Sequence, residues 1–420
     1  MTGRAGCNKP TPRCEGRRQH DPGKSGLRHG ARLLPVAPAL SRYVELILAG
    51  MAIRARRPAN LCCMRPATSL YLDLVRALAA FTVFMGHASG QFFTAGLLWQ
   101  TGLYDQTAVM VFFVLSGFVI AHVLETKERT ALDYTAARFG RLYSVVIPAL
   151  LLTAICDFFG LLKNPDFYYN GPWAYPADGQ VPRYLSALLF INQSWLLGEM
   201  QPGTNSPFWS LGFESIYYVA IGLLVFSGGA IRSAALLLLG LFAGPTILAL
   251  APVWLLGFAT YHAIRRHEMS ERTGFALWLA GAGLLLISYR FRFDWLHIPG
   301  VHRGALLADY AAGIGFALNI AGFNAFAHRT DKLLLPAARI IRRLGSITFA
   351  LYLFHRPLIQ LFAVYNIGEP SQWPQRLWLL GGTVFIVATL GYACEKSKGT
   401  YKAAFLSAFG ARAASDGRKA

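Results

Sequence analysis

From about residue 70 to residue 394 the chain alternates long apolar runs with short polar links. The runs lie near 70–92, 106–124, 142–162, 208–227, 233–250, 252–265, 273–289, 304–326, 344–365 and 376–394. Most are roughly 17 to 24 residues long, the length a helix needs to cross the hydrocarbon core of a bilayer. Lipid offers the backbone no hydrogen-bonding partner, so runs of this length cross it as helices. The pattern predicts an all-α, polytopic integral membrane bundle of about ten transmembrane helices. The fifth and sixth runs merge through "LALAPVWLLG", where Pro252 predicts a tight turn; without that turn the count is nine.

The first 68 residues break the pattern. They are rich in Gly, Pro and Arg with little periodicity, which predicts a basic, disordered extension. Within it, "YVELILAGMAI" (Tyr43 to Ile53) is too short to span and contains Glu45, so it reads at most as a surface-lying helix. A start at Met64 would give "MRPATSLYLDLVRALAA", an ordinary beginning for a membrane protein. Three segments result: the extension 1–68, a transmembrane domain 69–394, and a basic cytoplasmic tail 395–420.

Charge fixes the expected orientation. The 420 residues are 54% hydrophobic and 15% charged, yet carry a formal net charge of +19. With the amino terminus in the cytoplasm, the internal links hold about 19 basic residues against about 6 in the external ones, which predicts both termini inside. Nearly all the charge falls between apolar runs, which argues for a membrane protein and against a soluble nucleic-acid binder.

One external link is long, residues 163–207, and it is aromatic. Tyr168, Tyr169, Trp173, Tyr175 and Trp195 suit either a platform for sugar rings or an interfacial aromatic belt, the belt being the simpler reading. Its apolar stretch "YLSALLFI" is expected to lie on the bundle.

Ionisable groups inside apolar runs are functional candidates, because lipid penalises them unless they are paired or wetted. Arg76 and His87 lie on the first span eleven residues apart, which returns to the same helix face about 16 Å further along the axis. Snorkelling beside Asp73 is the plainer account of Arg76, and a bond to a backbone carbonyl that of His87. Glu214 enters the fourth span within about two turns of its outer end, a depth near that of His87, so the two are expected to form a carboxylate–imidazole acid/base pair. Ser116 and Gly117 lie mid-span, where small residues permit close helix packing. His355 and Arg356 in "LYLFHRPL" need a polar cavity or a partner. Arg138 and Arg141 share one face of a helix entering from the inner side and suit a phosphate or pyrophosphate, or serve as ordinary positive-inside flanks.

The six cysteines have neither zinc-site nor disulfide spacing, and no metal site is expected. A proton-coupled transporter or flippase would also use intramembrane Arg, His and Glu, but it predicts internal repeats, and none is evident.

Taken in order, Arg76-x10-His87, "VFFVLSGF", Arg138-x-x-Arg141 with Pro148, "WSLGFE" and "LYLFHRPL" resemble the membrane acyltransferase-3 family over about residues 70–394. The resemblance implies about ten helices in a bacterial inner membrane. It also implies transfer of an acyl group, commonly acetyl from acetyl-CoA or another acyl-CoA, to a hydroxyl of a cell-surface or exported carbohydrate or glycolipid. Acyl-CoA is then a co-substrate, and no bound cofactor is expected. By this resemblance Arg76 and His87 are essential, Glu214 is the acidic position after Trp-Ser-Leu, Arg138 and Arg141 handle the donor, and Ser116 and His355 are supporting groups. Leu74 stands where the family commonly has glycine, and Gly212-Phe213 precede Glu214 where a small residue and Val are usual.

Overall fold

The computed structural model describes residues 64–293 and 298–416, with side chains to residue 409, and every described element is helical. Residues 1–63 of the extension expected to be disordered, the surface-lying helix expected at 43–53, and Cys7, Cys14, Cys62 and Cys63 lie outside the described residues, whereas Pro66–Thr68, the end of that extension, form the first turn of α1, with Ala67 and Thr68 buried. Ten long helices follow one another: α1 Pro66–Ala88, α2 Asp105–Thr126, α3 Ala131–Lys163, α4 Trp209–Phe226, α5 Gly229–Ala243, α6 Pro245–Arg266, α7 Glu271–Ile287, α8 Leu306–Phe326, α9 Ala338–Val364 and α10 Trp373–Asp416. Their starts follow local chemistry. Pro66 and Pro245 occupy first-turn positions where a missing N–H costs nothing, and the Thr130 and Ser270 side chains accept from the backbone N–H groups of Asp133 and Thr273.

Among the described residues nine helical stretches are long and apolar enough to cross a membrane, and the 15-residue α5 is shorter. Even so, α5 leads from the end where α4 stops back to the end where α4 starts. It begins where α4 ends, and its last turn meets the long link that precedes α4: Trp195 Nε1 donates to the Leu241 carbonyl (2.6 Å) and Ser194 Oγ to that of Phe242 (2.7 Å). The chain therefore passes ten times between two ends. At one end, here the loop end, His302 N donates to Thr246 Oγ1 (3.0 Å) and Arg376 Nε to the Thr94 carbonyl (3.1 Å). At the other, the basic end, Arg265 meets Glu125 at 3.3 Å and His328 meets Glu271 at 3.0 Å.

The boundary between the fifth and sixth runs is not at Pro252, which lies inside α6. It falls at Gly244, whose φ of 83° suits glycine, and a Cβ there would stand 2.5 Å from the Trp195 ring. Pro252 is tolerated because only one backbone bond is lost and the helix around it is packed in the bundle. The segment expected as a basic tail continues α10, which runs through residue 394 as one helix of 44 residues. Beyond the apolar run it packs on α3, where a Cβ on Gly140 would meet the Lys398 carbonyl at 2.8 Å and the Phe139 and Phe405 rings lie 4.9 Å apart.

At mid-depth α2 and α6 cross closely. A Cβ on Gly117 would collide with the Trp254 backbone, and one on Gly257 with that of Val114. The expectation for Gly117 thus holds, and the contact brings the Trp254 indole to the centre of the bundle.

Candidate functional site

Arg76 on α1 and Glu214 on α4 line a small cavity in mid-bundle. It measures about 60 Å³, room for about two waters, and Ser116, Arg141, Ser210, Thr348 and Tyr352 complete its polar lining. Glu214 is held on its α4 rotamer by two hydroxyl donors, one of them fixed in turn by Trp254. Ser116 Oγ donates to Glu214 Oε1 at 2.5 Å, the Tyr218 hydroxyl donates to the same oxygen, and Trp254 Nε1 donates to Ser116 Oγ at 3.1 Å. Ser116 is therefore more than a packing residue: its hydroxyl bridges the carboxylate to the indole. Arg76 pairs with Asp73 at 3.2 Å and lies within electrostatic reach of Arg141 and Glu214. Two guanidinium groups thus share the cavity with one carboxylate, Glu214, while Asp73 pairs with Arg76 beside it.

His87 is not part of this cavity, and the expected His87–Glu214 pair does not form. His87 stands one residue from the loop end of α1, while Glu214 stands five residues inside α4, about 6 Å deeper by helix rise. The partner of His87 is His355 on α9: His87 Nδ1 lies 2.8 Å from His355 Nε2, and His355 Nδ1 lies 2.9 Å from the Leu351 carbonyl. A carbonyl only accepts, so His355 Nδ1 carries its proton. Neutral His355 then accepts at Nε2, His87 Nδ1 donates, and the lone pair of His87 is left on Nε2. The Val83 backbone, one turn back on α1, also acts on the His87 ring. His355 is fully buried, whereas His87 retains partial access.

Tyr352 joins the two sites. It lines the cavity, shares a 2.9 Å bond with Ser210 Oγ, and its ring lies 6.4 Å from that of His355. One turn of α9 thus serves both.

The long link does not present one aromatic platform. Tyr168 is in the core, its hydroxyl donating to the Cys156 carbonyl at 3.3 Å. Trp195 fixes the α5–α6 turn and is 57% exposed, as a belt residue would be. Trp173 reaches the histidines: it meets the His87 ring edge-on at 5.7 Å and carries the Arg356 guanidinium over its face at 4.5 Å. The stretch "YLSALLFI" contributes to a helix, Gln180–Leu188, that lies on the bundle through Ser186 and Ala187.

Arg138 and Arg141 share a helix but not a site. Arg138 bonds Glu128 at 2.6 Å and lies over the Tyr134 and Tyr218 rings, while Arg141 lines the cavity. Three residues separate them by about 300°, close enough for one face but enough to aim the two guanidinium groups at different neighbours. Burial pushes the Glu128 carboxyl above the ordinary carboxylate range, against the pull of Arg138.

At the loop end a polar vestibule of about 390 Å³ is lined by Arg183, Gln193, Glu199, His302, Arg303 and Trp209. Arg303 bonds Asp309 through two nitrogens, at 2.7 and 3.1 Å, and lies over Trp209 at 4.7 Å. Phe113, which lines the mid-bundle cavity, lies 6.0 Å from Trp209, so one aromatic layer separates the two spaces. Neither this vestibule nor the Trp173–Arg356 stack is foreshadowed by spacing, because each joins residues from elements far apart in the chain. Among the described residues no group of three His, Cys, Asp or Glu side chains stands together as a metal site.

A family model described as an acyltransferase domain matches residues 69–392. The chain is similar to the acyltransferase MdmB of Streptomyces mycarofaciens, 32% identical over 155 residues, 36% of this chain and 37% of that protein. It is also similar to the peptidoglycan O-acetyltransferase OatA of Listeria monocytogenes, 25% identical over 368 residues, 76% of this chain and 54% of that protein. The chain thus spans between about a third and about half the length of these relatives. No solved structure matches significantly.

Proposed function

The chain belongs to the acyltransferase-3 family, and we propose that it is a membrane O-acyltransferase that moves an acyl group, acetyl in the first instance, from acyl-CoA to a hydroxyl of a cell-surface or exported carbohydrate. The donor approaches from the basic end, in the cytoplasm of a bacterial inner membrane, and the acceptor from the loop end. Arg141 and Arg76 attract the anionic donor. The mid-bundle cavity accepts only its thioester end, which passes Tyr352 to meet the histidines.

The observation that carries this reading is the hydrogen-bonded chain His87–His355–Leu351. It holds a neutral imidazole with its lone pair on Nε2, at a partly accessible position beside the loop end. That is what a general base for an alcohol requires, with His355 in the orienting role. His87 Nε2 takes the proton of the acceptor hydroxyl, the hydroxyl oxygen attacks the thioester carbonyl, and the thiolate leaves with the proton returned by the imidazolium. A brief acyl-histidine is the other route the same atom permits. Glu214 acts elsewhere, balancing Arg76 and Arg141 and so keeping the donor path charged but not repulsive to the bundle.

Purified protein in detergent, given labelled acetyl-CoA and surface glycan from a deletion strain, should transfer label to the glycan. Absence of both transfer and thioester hydrolysis with every acyl-CoA tried would contradict the reading. The deletion strain should also show less acylated surface glycan than its parent.

A further inference from the structure

Beside the histidines, Arg356 carries a charge that the steps above do not use. It follows His355 directly on α9, in mid-bundle, and its guanidinium lies over the Trp173 ring at 4.5 Å. Trp173 in turn meets His87 at 5.7 Å, and Arg356 acts electrostatically on both imidazoles. Its Nε is buried without a hydrogen-bond partner, and no carboxylate among the described residues pairs with it. The other intramembrane arginines near the two sites have anionic neighbours: Asp73 for Arg76, Glu214 for Arg141, Glu128 for Arg138. Arg356 is only partly buried, and a guanidinium kept inside a membrane bundle without a carboxylate partner is a place for an anion.

Resting on the acyl-transfer reading above, we infer that Arg356 is a catalytic residue that donates to the oxyanion formed at the acyl carbonyl, a role for which Arg76 is too deep. The acceptor oxygen forms its bond to the carbonyl carbon as His87 Nε2 takes its proton, and the carbonyl π electrons move onto oxygen. That oxygen accepts from the Arg356 N–H groups. When the adduct collapses, the electrons return, the C–S bond breaks and the thiolate takes the proton from His87. The anion exists only in the adduct, so the free charge of Arg356 is matched in the transition state and not before it, the condition under which binding accelerates a reaction. Trp173 fixes the plane of the guanidinium beside His87, so that the donor N–H groups need no reorganisation.

The test is steady-state kinetics of Arg356→Gln against the wild type, with His87→Ala alongside. Loss of one preorganised oxyanion donor lowers kcat by about 10²- to 10³-fold while KM for acetyl-CoA and for the glycan stays within about twofold. A raised KM with unchanged kcat overturns the inference and makes Arg356 a substrate-anchoring group; unchanged kcat and KM overturns it outright. Should Arg356→Gln fail to fold, judged by size exclusion, Arg356→Lys replaces it: the ammonium loses the fork and the stack on Trp173, so kcat falls about tenfold, and an unaltered kcat overturns the inference. If the wild type transfers nothing, the acyl-transfer reading itself falls and takes this inference with it. An active wild type with inactive His87→Ala and active Arg356→Gln removes only the latter.

Discussion

His87 and His355 meet through a single hydrogen bond, and its direction is set by a backbone carbonyl on the far side of the second ring. His355→Ala removes the acceptor for His87 Nδ1–H and frees the ring to turn or change tautomer, so kcat should fall about 10²- to 10⁴-fold, the range for losing a positioned acid–base group. His355→Gln keeps a carbonyl oxygen near the same place and should recover part of that loss. Equal kcat in the two variants would show that His355 merely fills space. The two α1 groups are legible in the sequence, because an eleven-residue spacing fixes both a shared face and a separation. The partner of His87 is not. Depth along a span can be counted from its end, but the rotation of α4 about its axis is decided by Ser116, Tyr218 and Trp254, two of which come from other helices. Glu214 therefore faces the arginine cavity, while the histidine of the ninth span fills the position expected for the carboxylate. In that cavity Glu214→Gln leaves Arg76 and Arg141 with a missing counter-charge, and the melting temperature in detergent should drop. Adding Arg141→Gln should restore part of it, with a coupling of about 0.5–3 kcal/mol in a double-mutant cycle. Strict additivity would mean that the two groups do not interact.

At the scale of elements, the α2–α6 crossing decides whether the cavity exists. Gly117 and Gly257 bring backbone onto backbone, and the closeness of that approach sets Trp254 against Ser116. Gly257→Ala places a methyl group where the Val114 carbonyl stands and should destabilise by about 1–3 kcal/mol or more, read as a lower melting temperature and a parallel loss of transfer. An unchanged melting temperature would mean that the helices separate freely and that the cavity is not fixed by this contact. Hydropathy locates these helices well because lipid demands long apolar runs. It misplaces the α5–α6 turn because proline is a weaker breaker inside a bundle than in water, and because the signal that matters is a glycine shielded by Trp195 from another element. The continuity of α10 past residue 394 is equally hidden: once the apolar run ends, the helix persists by packing on Gly140 and Phe139 of α3.

For the whole molecule, ten passes between a basic end and a loop end put the mid-bundle cavity and the histidine pair at successive depths, with Tyr352 between them. The excess of Lys and Arg at the basic end predicts that this end faces the cytoplasm. Glu199→Cys, in the long link, and Glu268→Cys, in the link between α6 and α7, should therefore react with a membrane-impermeant maleimide from opposite sides: the first in intact spheroplasts, the second only after permeabilisation. Labelling of both from one side would break the ten-pass arrangement. On the proposed mechanism, transfer depends on the chemistry at the end of α1. The most direct test is single-turnover transfer of labelled acetyl from acetyl-CoA to glycan by His87→Ala, with folding and membrane insertion verified. A loss of at least about 10³-fold in the rate constant is predicted, because base, oxyanion donor and acceptor all converge on that imidazole. A rate constant within a few-fold of wild type would contradict it.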